Sequence, residues 1–321
     1  MAGPQFKTVA CVGTGLIGRG WTYIFTRAGC QTRIYDQLPS QIDAAMAWFK
    51  QALHQDVLDG FITETEASAA LRLVSPHTEL AEAVRGAEYI QESCAEDLQV
   101  KKAVFAEIDQ VSDPKAIIGS SASSLDMNEI TAGLPGAHRC VLAHPFNPPH
   151  IIPAVEVMAT TKTDPEVLRR TIEFLRSLGQ KPMIMNFFAK GYLINRIQAA
   201  VVREAIHLVE SGLCNAEAVD TAIKDGLGLR WALLGNFGTN NTNADGGIRE
   251  YYSKFGHVYQ YMMNDLDPTV PSFDRDMVER IGRQVDEMVG GASVSELCNW
   301  RDRMVRKIRM LKEQDPPPGS A

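Results

Sequence analysis

Short apolar runs alternate with polar, helix-patterned stretches through the first half of the chain. Lys-Thr-Val-Ala-Cys-Val at 7–12 reads as a buried strand, and Thr-Arg-Ile-Tyr-Asp at 32–36 as a second. Strand-like runs recur at 89–92, 116–119, 140–143 and 182–185, with helical patterns between most of them. The stretch from about 40 to 78 reads as a polar arm of two helices broken near Asp59-Gly60. After about residue 188 the period changes. Leu193, Ile197, Val201, Ala205 and Leu208 recur at helical spacing, no convincing strand follows, and 293–314 reads as a last helix. The pattern predicts an α/β fold: a doubly wound, mostly parallel sheet over 1–188 with a helical arm at about 40–78, then an all-helical domain over 189–321.

Composition narrows the possibilities. The chain has 321 residues, 45% hydrophobic and 22% charged, which suffices for two domains with real cores. A net charge of −7 argues against nucleic-acid and anionic-membrane partners. No apolar run approaches a membrane span, and the polar lead at 1–7 does not read as a signal peptide. The six cysteines are scattered without metal-ligand spacing, so they read as reduced, buried thiols of a cytoplasmic protein with no metal. Arginines at 301, 303, 306 and 309 read as a solvated helix face, and 315–321 as a disordered end.

Two groups of residues carry chemistry. Gly13, Gly15 and Gly18 stand between a predicted strand and helix, with Leu16 and Ile17 among them. The first glycine permits a tight turn, the second lets a pyrophosphate approach, and the third allows close helix packing. Asp36 ends the next strand eighteen residues after Gly18, where a carboxylate accepts hydrogen bonds from ribose hydroxyls. It would repel a 2′-phosphate, so the expected cofactor is NAD; Arg33 lies inside the strand and is expected to point elsewhere. The second group is His144, in His-Pro-Phe-Asn-Pro-Pro, and Glu156 twelve residues on. An imidazole held by a carboxylate can accept an alcohol proton, and the Pro-rich spacer suits a loop that returns the acid to it. Alone, the pair also reads as a loop histidine and an edge charge.

With these motifs in order, the chain resembles the 3-hydroxyacyl-CoA dehydrogenases, within them the λ-crystallin/L-gulonate 3-dehydrogenase branch, from about Thr8 to Leu234. The resemblance implies cofactor contacts at Glu96, Lys101, Ser123 and Asn147, beside the glycine loop and Asp36. It makes His144 the base, Glu156 its orienting acid, and Ser123 and Asn195 hydrogen-bond donors to the substrate oxygen. Asn195 lies in the run Gly-Tyr-Leu-Ile-Asn-Arg at 191–196. It also implies a homodimer through the helical domain, whose patterned helices carry more apolar surface than one small domain covers.

Two departures bear on the substrate. Residues 51–71 contain no Lys or Arg, while Asp56, Asp59, Glu64 and Glu66 are present, which disfavours a CoA ligand. Arg230, in Gly-Leu-Gly-Leu-Arg-Trp, occupies a position where the λ-crystallin branch and the L-carnitine dehydrogenases carry Arg, and is expected to bind a substrate carboxylate. The expected activity is oxidation of a CoA-free 3-hydroxy acid of the gulonate type. Carnitine, with Trp231, Phe237, Tyr251, Tyr252 and Phe146 as candidate walls for its ammonium, stays open, while Asn236, Asn240, Asn241, Asn243 and Asp245 are candidates for sugar hydroxyls. A 3-hydroxyacyl-CoA substrate and a non-enzymatic NAD(H)-binding structural or redox-sensing role also stay open.

Overall fold

The computed structural model describes residues 3–318; Met1 and Ala2 of the lead and the last three residues of the expected disordered end lie outside the described residues. The chain divides into two compact units, Met1–Arg196 and Ile197–Ala321.

The first unit is built on eight strands: β1 (Thr8–Val12), β2 (Gln31–Tyr35), β3 (Val74–His77), β4 (Tyr89–Glu92), β5 (Ile117–Ser120), β6 (Cys140–Pro145), β7 (Ala154–Ala159) and β8 (Lys181–Met185). Their order in the sheet is β3-β2-β1-β4-β5-β6-β7-β8. Strands β4, β5 and β6 are buried along their whole length, as strands of a sheet covered on both faces should be, and in β4 this burial takes in Gln91 and Glu92. Alternate side chains enter different layers. Val9 and Cys11 join Trp21, Phe25 and Phe174 under α1 (Leu16–Arg27) and α7 (Pro165–Ser177), which follows β7. Ala10 and Val12 join Leu80, Phe105 and Met127 under α4 (Leu80–Val84), α5 (Leu98–Val111) and α6 (Met127–Ile130).

The sheet reverses once. β6 pairs antiparallel with β7, and β8 runs parallel to β7. The register of that reversal sets His144 directly opposite Glu156.

The arm consists of α2 (Pro39–Leu58) and α3 (Glu64–Leu73), packed on α1 through Tyr23, Phe49, Leu53 and Ala70. Gly60, at φ +74°, makes the break between them, and Thr63 with Glu66 forms a capping box that restarts the helix. Two expectations about this stretch are corrected. Its end, Val74–His77, is strand β3 rather than helix: it pairs with β2 at the sheet edge, where Pro76 is tolerated. Asp56 is buried and accepts a hydrogen bond from the Tyr23 hydroxyl, so it is not a surface acid that repels a ligand.

Helix α8 (Ile194–Glu210) begins in the first unit; the division falls eight residues past the expected boundary because backbone N–H groups at 193 and 194 are bonded to Glu156. The second unit continues with α9 (Ala216–Thr221), a π-type turn at Ala222–Leu227, α10 (Gly228–Asn241), α11 (Gly247–Asp265), α12 (Arg275–Val289) and α13 (Val294–Gln314). Ser293 and Glu296 form a capping box that starts α13. Among the described residues no strand follows Met185. Asn236, Asn240 and Asn241 stand inside α10, not in a loop, and buried Asn240 donates to the Tyr252 hydroxyl. No helix among the described residues is long and apolar enough to cross a membrane.

Gly18 seats α1 against its own loop: a Cβ there would stand 1.8 Å from the Gly13 carbonyl oxygen. Gly18→Ala is therefore expected to cost at least about 2 kcal/mol, lowering Tm by roughly 4–8 °C in thermal unfolding; an unchanged Tm contradicts this packing.

Candidate active site

The glycine loop joins β1 to α1. Gly13, at φ +91°, has no room for a side chain, since a Cβ would lie 2.6 Å from the Ser93 carbonyl oxygen. A Cβ on Gly15 would meet nothing within 4 Å, and no side chain caps α1. Open space over an uncapped helix N-terminus is what a pyrophosphate requires. Asp36 is locked: Oδ2 accepts from the Thr14 N–H (2.9 Å) and hydroxyl (3.1 Å), and Oδ1 accepts from Leu38 N–H (3.1 Å). A cavity of about 330 Å³ lies here, lined by Gly13, Gly15, Tyr35, Asp36, Gln37 and Glu107 among others, with no Lys or Arg in its wall. Arg33 is turned away and donates to the Arg85 carbonyl oxygen. The donor set and charge fit NAD and disfavour a 2′-phosphate.

A second cavity of about 330 Å³ is lined by Leu16, Ile17, Glu96, Ser121, Ser123, His144, Phe146, Asn147 and Asn195. Both cavities share Ser93 and Cys94, so they adjoin just past the end of β4, as the two halves of a dinucleotide require. His144 Nδ1 lies 2.6 Å from Glu156 Oε2. Glu156 is completely buried, and its Oε1 accepts from Leu193 N–H and Ile194 N–H, both at 2.7 Å. Burial pushes this carboxyl up, but the bonds from His144, Ile194 and Leu193 outweigh it and hold the group below the usual carboxylate range. An ionised Glu156 only accepts hydrogen bonds, so His144 carries its proton on Nδ1 and leaves Nε2 as an acceptor. Tyr192 packs edge-on against the imidazole, 5.5 Å between ring centres, and its hydroxyl donates to the Leu125 carbonyl oxygen.

Glu96 and Lys101 divide their work differently from expectation. Glu96 lines the His144 cavity, and its Oε1 accepts from Ser123 N–H (2.8 Å), Ser124 N–H (2.6 Å) and the Ser124 hydroxyl (3.0 Å). Burial raises its pKa, but those bonds and the Lys101 charge bring it below its ordinary value. Lys101 lines neither cavity. It is 1% exposed, and its ammonium donates to Glu92 Oε1 (2.8 Å) and the Cys94 carbonyl oxygen, 3.7 Å from Glu96 Oε2. Ser120 closes the cluster by donating to Glu92 Oε2 at 2.6 Å. A cation below Glu96 steadies the Ser123 turn from behind.

His144, Ser123, Asn147 and Asn195 thus meet in one cavity, and Asp36 lines the next one. Arg230 stands on the first turn of α10 in the second unit, exposed and without an ion pair among the described residues. Sequence reasoning missed Thr14, Glu92 and Tyr192 as positioning groups. Only Glu92 had a signal, as an acid ending an otherwise buried strand that would need a partner. All six cysteines are free, but only Cys11, Cys30 and Cys140 are buried; Cys94, Cys214 and Cys298 are half-buried because their neighbours include cavity or helix surface.

The Glu156 carboxyl titrates in the fold below its ordinary value of 4.5. Its contribution to stability is complete above that value and is lost as pH falls through the depressed folded value. The unfolding free-energy difference between wild type and Glu156→Gln should be constant from neutral pH down to about 4.5 and then shrink on acidification. A difference that grows on acidification contradicts the assignment.

Comparison with known proteins agrees with this geometry. Residues 8–187 match the 3-hydroxyacyl-CoA dehydrogenase NAD-binding domain, and 191–280 match the C-terminal domain of the same family. The chain is 32% identical to λ-crystallin of Oryctolagus cuniculus over 99% of its own length and 100% of that protein. It is 33% identical to L-carnitine dehydrogenase of Oceanobacillus iheyensis over 96% and 98% of the two chains. The fold matches the crystal structure of an NAD⁺-dependent 5-formyl-3-hydroxy-2-methylpyridine 4-carboxylic acid 5-dehydrogenase with a TM-score of 0.80, at 24% identity over 96% of this chain and 99% of that one. The chain belongs to the 3-hydroxyacyl-CoA dehydrogenase family and is an NAD-dependent dehydrogenase acting on a secondary hydroxyl.

Proposed function

We propose that the enzyme oxidises the 3-hydroxyl of a CoA-free 3-hydroxy carboxylate, in the manner of an L-gulonate 3-dehydrogenase. The observation that carries the chemistry is the His144–Glu156 pair, 2.6 Å apart, in a cavity that also holds Ser123 and Asn195. When bound, NAD would supply a nicotinamide ring able to accept the substrate's hydride, and the glycine loop, Leu16, Ile17, Asp36 and Asn147 would hold it. His144 Nε2 takes the hydroxyl proton, and Glu156 balances the imidazolium that results. Ser123 and Asn195 donate to the substrate oxygen as it gains alkoxide character. Glu96, with Lys101 beneath it, fixes the Ser123 turn.

The substrate class is supported by the arm and by Arg230. Residues 51–71 offer no cation to CoA phosphates, which still holds with Asp56 buried, and the unpaired Arg230 guanidinium suits a carboxylate. One observation favours L-carnitine as a second reading. Tyr251, Tyr252, Phe255 and Tyr259 form one aromatic cluster on α11, and the Arg230 charge acts on Tyr259. Aromatic faces beside a guanidinium suit a zwitterion. The six free thiols fit a reducing, cytoplasmic setting.

NADH appearance should be followed with L-gulonate, L-carnitine, L-3-hydroxybutyrate and 3-hydroxybutyryl-CoA. The highest kcat/KM is expected for L-gulonate; carnitine in first place selects the second reading, and turnover of the CoA thioester alone overturns both.

The functional unit is proposed to be a homodimer formed through the helical unit. The buried hydrophobic side chains described there are Ile206, Val219 and Met277, while Leu229, Leu233, Phe237, Tyr261 and Met263 stand exposed. Light scattering should return twice the 35.3 kDa chain mass; a monomer contradicts this.

A further inference from the structure

Arg19, in the first turns of α1, is a charge without a counter-charge. Its guanidinium lies over the Trp48 ring, 4.7 Å from the centroid. Among the described residues the Arg19 side chain makes no hydrogen bond or ion pair, and its Nε is shut off from water. Burial pulls its pKa down, the direction expected of a cation partly withdrawn from solvent with nothing to balance it. Such an arrangement is costly unless an anion completes it.

Arg19 is not among the side chains that line the His144 cavity, but its neighbours along the chain and in space include residues that do. Leu16 and Ile17, less than a turn earlier on α1, line the His144 cavity, as do Phe146 and Asn147 at the start of the loop after β6. The same loop reaches Arg19's neighbours at its other end. A Cβ on Gly20 would lie 3.1 Å from Pro149, and His150 packs edge-on against Trp48 (5.0 Å) and tilted against Tyr23 (5.4 Å). Arg19 therefore stands at the seam of α1, the arm and this loop, next to two segments that form the cavity wall. The contact with Trp48 restrains the guanidinium, whose two terminal nitrogens can make a two-pronged bond to a planar anion.

We propose that Arg19 is an anion anchor of the first unit and binds the carboxylate of the 3-hydroxy acid substrate. The proposal rests on the carboxylate reading given above and adds a contact that is independent of Arg230. It also gives the arm a role: Trp48 pre-orients the charge that selects a free acid.

Arg19→Met, Arg19→Lys and Arg230→Met should be compared with wild type on the best 3-hydroxy acid of the panel, on its neutral primary amide, and on 3-hydroxybutyryl-CoA. Loss of a charge-assisted, two-pronged bond predicts a KM for the acid raised about 10–100-fold in Arg19→Met, with kcat within about threefold of wild type. Arg19→Lys, which keeps the charge but not the fork, should fall between the two. The amide should respond little, NADH affinity should stay at the wild-type value, and Tm without substrate should not fall below wild type, separating lost recognition from damaged folding. A KM for the acid that changes less than about threefold, an equal rise for the amide, or a rise confined to the CoA thioester overturns the anchor while leaving the rest of the site intact. Wild-type enzyme that turns over no free acid removes the carboxylate reading and the anchor together.

Discussion

One buried carboxylate holds the site together. Glu156 uses each oxygen for a different structure: Oε2 fixes the His144 imidazole, and Oε1 receives the N–H groups of Leu193 and Ile194 where α8 begins. The bond from His144 and, at a helix N-terminus that favours negative charge, those two N–H bonds together keep the acid ionised despite its burial. Because Asn195 is the next residue along, the carboxylate that fixes the His144 imidazole also sets the position of the Asn195 side chain in the same cavity. The antiparallel turn of the sheet makes this possible, since it brings His144 and Glu156 face to face across β6 and β7. Tyr192 is held in left-handed backbone (φ 47°) between its hydroxyl bond to Leu125 and its ring contact with His144. Such strain persists where neighbouring contacts over-determine it, and here those contacts include the imidazole.

A second buried network performs the same service for Ser123. Lys101 and Glu92 are both out of water and neutralise each other, with Ser120 and the Cys94 carbonyl completing their hydrogen bonds. Removing either partner of such a pair leaves an isolated buried charge, worth about 3–5 kcal/mol. The network lies directly below Glu96, whose carboxylate gathers the Ser123–Ser124 turn. The polar groups that touch the cavity are thus carried on supports that do not line it, which is how a site keeps its geometry.

Legibility in the sequence followed the physics of each element. The central strands were readable because burial on both faces demands mostly apolar runs. The glycine loop was readable because Gly13 and Gly18 leave no room for a Cβ, and Asp36 because the next strand delivers it to the cavity wall. Strand β3 escaped because an edge strand with half-exposed polar residues has no such signature, and Val-Ser-Pro-His continues the polar pattern of the helices before it. Asp56 was misread as a surface acid because its partner, Tyr23, lies thirty-three residues away and only the packed arm brings them together. Lys101 was expected at the cofactor from the family resemblance, and only the fold shows that Glu92 claims its charge.

The measurement that bears most directly on the His144–Glu156 assignment is steady-state turnover of His144→Gln alongside its NADH dissociation constant. Loss of a positioned general base predicts a fall in kcat of about 10²–10⁴-fold with NADH binding unchanged. A variant that binds NADH like wild type and keeps more than about a tenth of its turnover would contradict the role of His144 as the base.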